Sequence, residues 1–275
     1  RIVSQVYEGL VRLDQSNLKV KPSLAEDWKV NDDATVFTFY MRKGVMFHDD
    51  PCFKETDGKG REVTAKDVMY CFTELCTMKP ENQMFWLFEG KVKGAVEYYE
   101  STRSGNPLAG GVEGLKMLDD YTIEITLESS FAGFPNLLCT AGGWIFPKEA
   151  VDEYGIDMRI KAVGSGPFKV KNVKEGEVVI LEKNKNDWDI DEFGNKLPYL
   201  DAIKISFKKE KKAELLAFRQ GNLHMVFRLP VEMINEVIGD FEEARKGGNR
   251  PFEMQTTSSM MVQYYAFQHL DELFS

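Results

Sequence analysis

The sequence predicts an α/β domain with a mixed β-sheet and flanking helices. Three observations lead to this fold class. Strand patterns and helix patterns are interspersed along the chain, turns rich in Gly and Asp separate them, and no internal repeat interrupts their order. Apolar residues make up 43% and charged residues 29% of 275 residues, which is typical of a globular domain able to bury a large core.

The first part of the chain is predicted to contain a helix and a β-hairpin. Apolar residues recur at helical spacing over residues 2–11, which predicts an opening amphipathic helix. A hairpin over residues 28–41 follows, built around an Asn-Asp-Asp turn. Its second strand places Phe37, Phe39 and Met41 on one face, because side chains alternate across a strand.

Two helices are predicted next. Thr64 and Asp67 have the spacing of a capping box and predict a helix start. The stripe that this helix buries is predicted to consist of Val68, Met69, Phe72 and Leu75. A second helix is predicted over residues 92–99.

The rest of the chain continues the same interspersed pattern. Hairpins are predicted over residues 116–127 and 168–182, a short helix over 131–138, and a helix from Pro147 to Tyr154. The remaining predicted elements are a strand over 202–207, a helix over 210–219 ended by Gly221, a short strand over 223–227, a helix from Pro230 and a final strand over 260–267.

The composition excludes some classes of function. A net charge of −9 and a pI of about 5.1 disfavour a nucleic-acid partner, because phosphates require clusters of Lys and Arg. The basic run over residues 208–212 is therefore interpreted as a solvated turn before a helix. No apolar run is long enough to predict a membrane span. Four cysteines over this length are no disulfide framework, so we expect buried thiols.

His48-Asp49-Asp50 and Cys52 form a polar cluster with the residue types of a metal site. Their spacing fits neither a helical pair of ligands nor a Cys-x-x-Cys zinc motif. We interpret the cluster as a turn after a strand, with a metal site as the alternative.

A second polar cluster imitates the start of a calcium-binding loop. Asp187, Asp189 and Asp191 have the required alternation, but Glu192 stands where the loop needs Gly and Pro198 where it needs Glu. An Asp-rich turn is the favoured interpretation, and a calcium site is the alternative.

No pattern typical of catalysis is found. Gly164-Ser165-Gly166 lacks the Lys of a phosphate-binding loop and predicts a tight turn into a strand. The three histidines, His48, His224 and His269, show no spacing to Ser, Cys or Asp that indicates a catalytic triad. We therefore predict no catalytic residue, no metal and no cofactor, and an enzyme is the third-ranked hypothesis.

An ordered set of short motifs carries information that composition does not. The set runs through Tyr7-Glu8-Gly9-Leu10-Val11, Pro22-Ser23-Leu24-Ala25-Glu26-Asp27-Trp28, Thr35 to Asp49, Thr64-Ala65-Lys66-Asp67-Val68, Asp120-Tyr121-Thr122, Gly164-Ser165-Gly166-Pro167-Phe168, Asn184 with Trp188, Pro198-Tyr199-Leu200-Asp201 and Phe218-Arg219-Gln220-Gly221. Each motif is modest alone, but the ordered set resembles the family 5 extracellular solute-binding proteins, which include dipeptide- and oligopeptide-binding proteins of ABC importers. His224 departs from the family pattern, which has an acidic residue there.

The resemblance implies a particular domain organisation. Family members have two lobes that close on a ligand, so we expect a type II periplasmic-binding-protein-like lobe, with the second lobe largely missing from this chain. The expected main α/β lobe comprises residues 1–45 and 162–258, with residues 46–161 as an inserted subdomain and 259–275 as a strand leading to the hinge.

The resemblance also implies partners and a location. The ligand is expected to be a peptide or another small solute, and the macromolecular partner the permease subunits of an ABC transporter. The expected location is the periplasmic or extracellular face of the cytoplasmic membrane, with membrane contact only through a lipid anchor outside this chain. Half of a two-lobed site is expected to bind its ligand weakly.

Ligand-binding residues are expected near the hinge and in aromatic walls. The resemblance points to Tyr264 and Gln268, with Tyr265 and Ala266 beside them. Trp144 and Trp86 are further candidates for pocket walls. Peptides would be held by strand-like main-chain hydrogen bonds. Relatives that bind oligosaccharides or metal chelates, and a sensory ligand-binding domain, stay open as alternatives.

Overall fold

The structure is a computed structural model that describes residues 2–228, 231–246 and 252–255. The chain forms two compact units, Arg1–Phe207 and Lys208–Ser275. The strands are β1 Glu8–Gly9, β2 Val11–Leu13, β3 Val20–Pro22, β4 Ala25–Val30, β5 Val36–Met41, β6 Leu115–Asp119, β7 Thr122–Thr126, β8 Trp144–Ile145, β9 Phe168–Lys174, β10 Val178–Lys183 and β11 Ala202–Ser206. The α-helices are α1 Ala65–Leu75, α2 Ala95–Arg103, α3 Phe134–Leu138, α4 Lys148–Tyr154, α5 Lys211–Arg219 and α6 Val231–Lys246.

The predicted opening helix is wrong. Its first residues form only a short 3-10 turn, Val3–Gln5, and the following residues form β1 and β2. β1 pairs with β8 and β2 pairs with β3, both antiparallel. The helical spacing is overridden because pairing with other strands satisfies the backbone of β1 and β2. Val6 and Leu10, at the turn and the bend on either side of β1, are still buried.

Both hairpins predicted for residues 28–41 and 116–127 are confirmed, and they join into one sheet. This four-stranded antiparallel sheet has the order β4-β5-β7-β6. Phe37 and Phe39 on β5, with Ile123 and Ile125 on β7, are at most 1% exposed and begin the larger core. The sheet combines strands from both sides of residue 45, where we predicted a domain boundary, and that boundary stays a prediction.

Helix α1 covers this core and begins as predicted. Thr64 and Asp67 form the reciprocal capping box. Val68, Phe72 and Leu75 are buried, whereas Met69 is only partly buried. The second helix, α2, begins three residues later than predicted. Gly94 precedes it with φ +71°, a conformation that glycine adopts without the steric cost that a side chain would add.

A three-stranded antiparallel sheet with the order β11-β10-β9 completes the first unit. Its smaller core contains Val6, Phe168, Val179 and Leu181. The predicted hairpin over residues 168–182 is therefore confirmed. Interspersed strands and helices confirm the α/β class. The predicted mixed sheet has no parallel pair within the described residues, since every strand pairing there is antiparallel.

The described residues of the second unit include two helices, α5 and α6. Helix α5 ends shortly before Gly221, as predicted, and α6 follows. Leu215, Met233 and Val237 form a small core against which Phe252 packs. The strand predicted over residues 223–227 is wrong: these residues pair with no strand in the described part of the chain. The strand predicted over residues 260–267 lies outside the described residues.

The cysteine side chains are free thiols. Cys52, Cys71 and Cys76 are buried, as expected, and Cys139 is partly buried. Burial raises the pKa of the Cys76 thiol to about 12, so this thiol stays protonated. Within residues 2–228, 231–246 and 252–255, no helix combines the length and apolarity that crossing a bilayer requires.

Candidate functional site

Glu8 on β1 is the centre of a buried polar network. Its carboxylate accepts hydrogen bonds from Ser165 Oγ at 2.9 Å and from Trp188 Nε1 at 3.2 Å to each oxygen. Burial raises the pKa of Glu8 to about 7; the bonds from Trp188 and Ser165 oppose this shift, and the nearby Asp187 charge adds to it. Glu8 is therefore a buried acid that titrates near neutral pH.

The Gly-Ser-Gly turn lies too close to the backbone just before β1 for residues larger than glycine at its two ends. A Cβ atom at Gly164 would overlap the carbonyl oxygen of Val6, and one at Gly166 would lie 2.8 Å from the same oxygen. Gly166 also donates its N–H to the Val6 carbonyl at 2.9 Å. The glycines are thus needed to bring Ser165 within reach of Glu8.

His48 fixes the same turn from the other side. Its Nε2 lies 2.8 Å from the Gly166 carbonyl oxygen, which can only accept, so Nε2 carries the proton. Nδ1 then accepts the N–H of Gly164 at 3.4 Å. Burial lowers the pKa of His48 to about 4, so the ring is neutral. Both ring nitrogens are occupied, which leaves neither for a metal ion.

Asn184 and Trp188 complete the network. Asn184 Nδ2 donates to the carbonyl oxygens of Gly166 at 3.0 Å and Ser165 at 3.4 Å. The guanidinium groups of Arg42 and Arg12 lie 4.2 and 5.6 Å from the Trp188 ring centroid. Motifs far apart in the sequence therefore meet around one carboxylate, a contact that no local sequence pattern predicts.

A cavity of about 350 Å³ lies beside this network. Arg12 Nη1 donates to Asp189 Oδ2 at 2.8 Å in its wall. The lining residues are Gln5, Glu8, Arg12, Pro167, Phe168, Asp187, Asp189, Leu197, Pro198, Tyr199, Leu200 and Ile203. The wall is thus mostly apolar, with three carboxylates and one guanidinium.

Asp187 is the exceptional residue of this wall. It is 6% exposed, and both of its carboxylate oxygens are shielded from solvent. Burial raises the pKa of Asp187 to about 6, and the neighbouring Asp189 charge adds to the shift, whereas the backbone N–H groups of Asp189 and Trp188 oppose it. Asp191, in contrast, accepts N–H groups of Phe193 and Asn195, which is an Asp-rich turn as predicted. No group of three metal-ligating side chains occurs in the part of the chain that the structure describes.

Trp144 belongs to an aromatic group next to the network. As part of β8 it pairs with Gly9, which places its ring beside Tyr7 at 6.4 Å between centroids and 18° between planes. Phe146 contacts Tyr7 and Tyr70 edge-on at 6.4 and 6.2 Å. Trp144 is half-buried, so part of its ring is available to a ligand.

Trp86 is more exposed than Trp144. It is 47% exposed in the 3-10 turn Phe85–Leu87, and within the described ranges no ring contact joins it to Trp144. The other predicted site residues, Tyr264, Tyr265, Ala266 and Gln268, lie outside the described residues. The structure thus places one of the six predicted residues in an aromatic group beside the network.

Comparison with solved structures identifies the class of fold. DppA of Helicobacter pylori, a periplasmic binding protein in complex with the peptide STSA, matches 87% of this chain over 43% of its own, at 24% identity and a TM-score of 0.69. A periplasmic oligopeptide-binding protein of Borrelia burgdorferi matches 86% over 44%, at 24% identity and a TM-score of 0.73. The described fold is that of one part of a periplasmic binding protein.

The family follows from sequence comparison. The family described as "Bacterial extracellular solute-binding proteins, family 5 Middle" matches residues 19–275, so the chain belongs to family 5 of the extracellular solute-binding proteins. Di/tripeptide-binding protein 1 of Pseudomonas aeruginosa is 30% identical over 68% of this chain and 33% of its own length. The glutathione-binding protein GsiB of Salmonella choleraesuis is 24% identical over 96% and 42%. The chain spans less than half the length of these relatives.

Proposed function

We propose that this chain is part of the solute-binding component of an ABC importer, which captures peptides or similar small solutes outside the membrane. Its membership of family 5 carries the proposal. Relatives whose names state a di/tripeptide or a dipeptide as ligand, at 30% identity each, support a peptide as the solute. Binding, rather than catalysis, is the proposed activity, and the permease subunits are the proposed partner.

The proposed location is the periplasmic or extracellular face of the cytoplasmic membrane. Periplasmic binding proteins among the fold neighbours support it. A net charge of −9 suits a protein that stays in solution at that face and does not adhere to anionic lipid. A lipid anchor outside this chain is part of the same proposal.

Trp144 is proposed as one wall of the solute site. Its ring stacks on Tyr7, which holds it in place, and its half-buried position leaves a flat apolar surface for a ligand side chain. Tyr264, Tyr265, Ala266 and Gln268 stay proposed ligand contacts from the family resemblance. Trp86 is proposed only for the alternative in which an aromatic surface binds a sugar.

Thermal unfolding with three ligand panels tests the proposed function. The longest form of the protein that its gene encodes is heated with short peptides, with oligosaccharides or with metal chelates, each at about 1 mM. A ligand with micromolar affinity adds about 4 kcal/mol at that concentration, which raises Tm by several degrees. We expect the shift with peptides.

The other outcomes are equally informative. A shift with sugars or chelates alone keeps the solute-binding role and overturns the peptide. No shift with any panel overturns the import proposal and favours a sensory domain with another ligand.

Two matched variants test the aromatic wall. Trp144→Ala removes a ring from the proposed site and is expected to weaken peptide binding about 30-fold, the effect of losing a contact worth about 2 kcal/mol. Trp86→Ala removes a ring of the same size at an exposed position and is expected to leave peptide binding unchanged. Equal losses in both variants, or none in Trp144→Ala, would remove Trp144 from the site.

A further inference from the structure

The strand that carries Trp144 is short and has one neighbour. β8 consists of Trp144 and Ile145, and β1 is its only strand partner within the described residues. Ile145 pairs with Glu8, and Trp144 pairs with Gly9. A two-stranded pairing is marginally stable by itself, so the position of β8 follows the position of β1.

Tyr7 adds a second link between β1 and the Trp144 ring. It directly precedes Glu8 in the chain, and its ring lies against Trp144 with centroids 6.4 Å apart and planes 18° apart. Phe146 contacts the same Tyr7 ring edge-on at 6.4 Å. A displacement of the main chain at Glu8 therefore moves both the strand partner of β8 and a ring that supports Trp144.

The Glu8 side chain ties β1 to three other segments of the chain. Its carboxylate accepts hydrogen bonds from Ser165 Oγ at 2.9 Å and from Trp188 Nε1 at 3.2 Å, and a longer one from Ser23 Oγ at 3.5 Å. These donors lie 157, 180 and 15 residues from Glu8 in the sequence. The carboxylate is thus the point at which β1 is fixed to segments that are distant along the chain.

Burial makes a carboxylate costly at this position. Glu8 is 9% exposed, and Arg12, the cation whose charge acts on it, is bonded to Asp189 instead. Apolar residues of similar volume often stabilise a fold as well as a buried charge does. An apolar side chain cannot accept directional hydrogen bonds, so the contribution that is specific to Glu8 is geometric.

We propose that Glu8 is a positioning residue of the solute site, which acts through β1 and Tyr7 to hold the Trp144 ring in the orientation that receives a solute side chain. The proposal rests on the proposed function, because Trp144 is the wall that the solute contacts there. Glu8 does not touch the solute, and its effect reaches the solute only through Trp144.

Fluorine NMR of the ligand-free protein tests the positioning without any solute. The longest form of the protein that its gene encodes is labelled with 5-fluorotryptophan, and Trp144→Phe assigns the Trp144 signal. We expect Glu8→Ala to shift this signal by more than its linewidth. Glu8→Gln is expected to leave it near the wild-type position, because the amide oxygen accepts from Trp188 and the amide nitrogen donates to Ser165. An unchanged signal in Glu8→Ala overturns the proposal.

Gly114→Ala separates positioning from a general loss of stability. A Cβ atom at Gly114 would lie 2.5 Å from the Thr126 carbonyl oxygen and 2.8 Å from that of Lys93, so the variant is destabilised at contacts that include neither β1 nor β8. We expect its Trp144 signal to stay at the wild-type position. A shift as large as that in Glu8→Ala would show that the signal follows stability alone and would overturn the proposal.

Ser165→Ala keeps the test decisive if Glu8→Ala does not fold. This variant leaves Glu8 in place and removes the hydrogen bond of 2.9 Å that its carboxylate accepts. We expect a smaller shift of the Trp144 signal. No shift in the folded variant would contradict the proposed path from the Glu8 carboxylate to the ring.

Calorimetric titration with alanylphenylalanine extends the test to the solute site. Glu8→Ala is expected to weaken binding about tenfold, and to change it less than about twofold when Trp144 is already alanine, because residues that act through one another are not additive. Equal effects in both backgrounds would overturn the proposal. Absent binding by the wild type would overturn the peptide function together with this role, whereas unchanged binding in Glu8→Ala alone would overturn only the role of Glu8.

Discussion

Glu8 and His48 are buried titratable side chains whose pKa values shift in opposite directions, because burial favours the neutral form of each. Burial raises the pKa of Glu8 to about 7 and lowers the pKa of His48 to about 4. Each side chain is therefore neutral over part of the pH range in which it would be charged in the unfolded chain. Glu8 accepts a hydrogen bond from Ser165 and His48 bonds to Gly166, both in the Gly-Ser-Gly turn. The protonation state of each side chain is therefore linked to the stability of this turn.

The pH dependence of stability is expected to change in Glu8→Gln. Between the unfolded pKa near 4.5 and the folded value near 7, the folded protein binds more protons than the unfolded chain. The free energy of unfolding therefore falls as the pH rises through this range, by roughly 3 kcal/mol for such a shift. Glu8→Gln removes this contribution, so urea unfolding at pH 5 and pH 8 should show a smaller loss in the variant.

The comparison keeps His48 and Asp187 in both proteins, so it reports on Glu8 together with its coupling to Asp187. Glu26→Gln, at an exposed position of β4, serves as the matched control and should follow the wild type. Parallel curves for Glu8→Gln and the wild type would contradict the raised pKa.

The close contact at Gly164 predicts that replacing this glycine with alanine destabilises the protein. Gly164→Ala places a methyl group against the Val6 carbonyl oxygen, and the backbone must shift to relieve the overlap. We expect a loss of about 2 kcal/mol or more in the free energy of unfolding. Gly110→Ala has open space around its methyl group and is expected to change stability by less than about 0.5 kcal/mol. Chemical denaturation of both variants measures the difference, and similar values for the two would refute the contact.

At the scale of elements, one ion-pair network joins the starts of helices α1 and α4. Arg61 bonds to Asp67 on α1 at 2.7 and 3.0 Å and to Glu149 on α4 at 2.6 and 2.9 Å. Asp67 also caps its helix by accepting the N–H of Thr64 at 2.8 Å. Negative side chains at two helix N-termini complement the helix dipoles, and Arg61 neutralises both.

Removing Asp67 is expected to weaken this junction. Asp67 is 3% exposed, so Asp67→Ala deletes a cap and leaves Arg61 short of a partner. We expect a loss of about 2–4 kcal/mol. Asp152→Ala on α4 removes an exposed partner of Lys148 and should cost at most about 0.5 kcal/mol. Thermal and urea unfolding measure both, and a loss in Asp67→Ala no larger than in Asp152→Ala would show that the network adds little.

At the scale of the whole molecule, the two units have separate cores. The two cores of the first unit contain only residues up to Ile205, and the core of the second unit contains only residues from Leu215 onward. Each core can therefore form from its own segment of the chain.

A chain of residues 1–207 is accordingly expected to fold alone. Its unfolding should be one cooperative transition, with Tm within a few degrees of the corresponding transition of the 275-residue chain. Calorimetry and near-UV circular dichroism measure the transition. A shorter chain that lacks a cooperative transition would show that the second unit is needed for the first to fold.

Local patterns in the sequence determined the elements whose hydrogen bonds are short-range. The hairpins over 28–41, 116–127 and 168–182 and the capped start of α1 were predicted because turn residues and apolar alternation act within a few positions. The order of the motifs determined the family. The prediction of an opening helix was wrong because β1 pairs with Ile145 and Trp144 of β8. That strand lies far away in the sequence, so no local pattern near residues 2–11 indicates the pairing.

Only the tertiary structure decided which motifs contact one another. Ser165 and Trp188 reach Glu8 across separations of 157 and 180 residues, so their contact leaves no periodic signal in the sequence. The same holds for the cavity and for the buried carboxylate of Asp187, which local patterns predicted only as part of an Asp-rich turn. The physical reason is that burial and long-range pairing, which set these pKa values and this cavity, exist only once distant segments pack together.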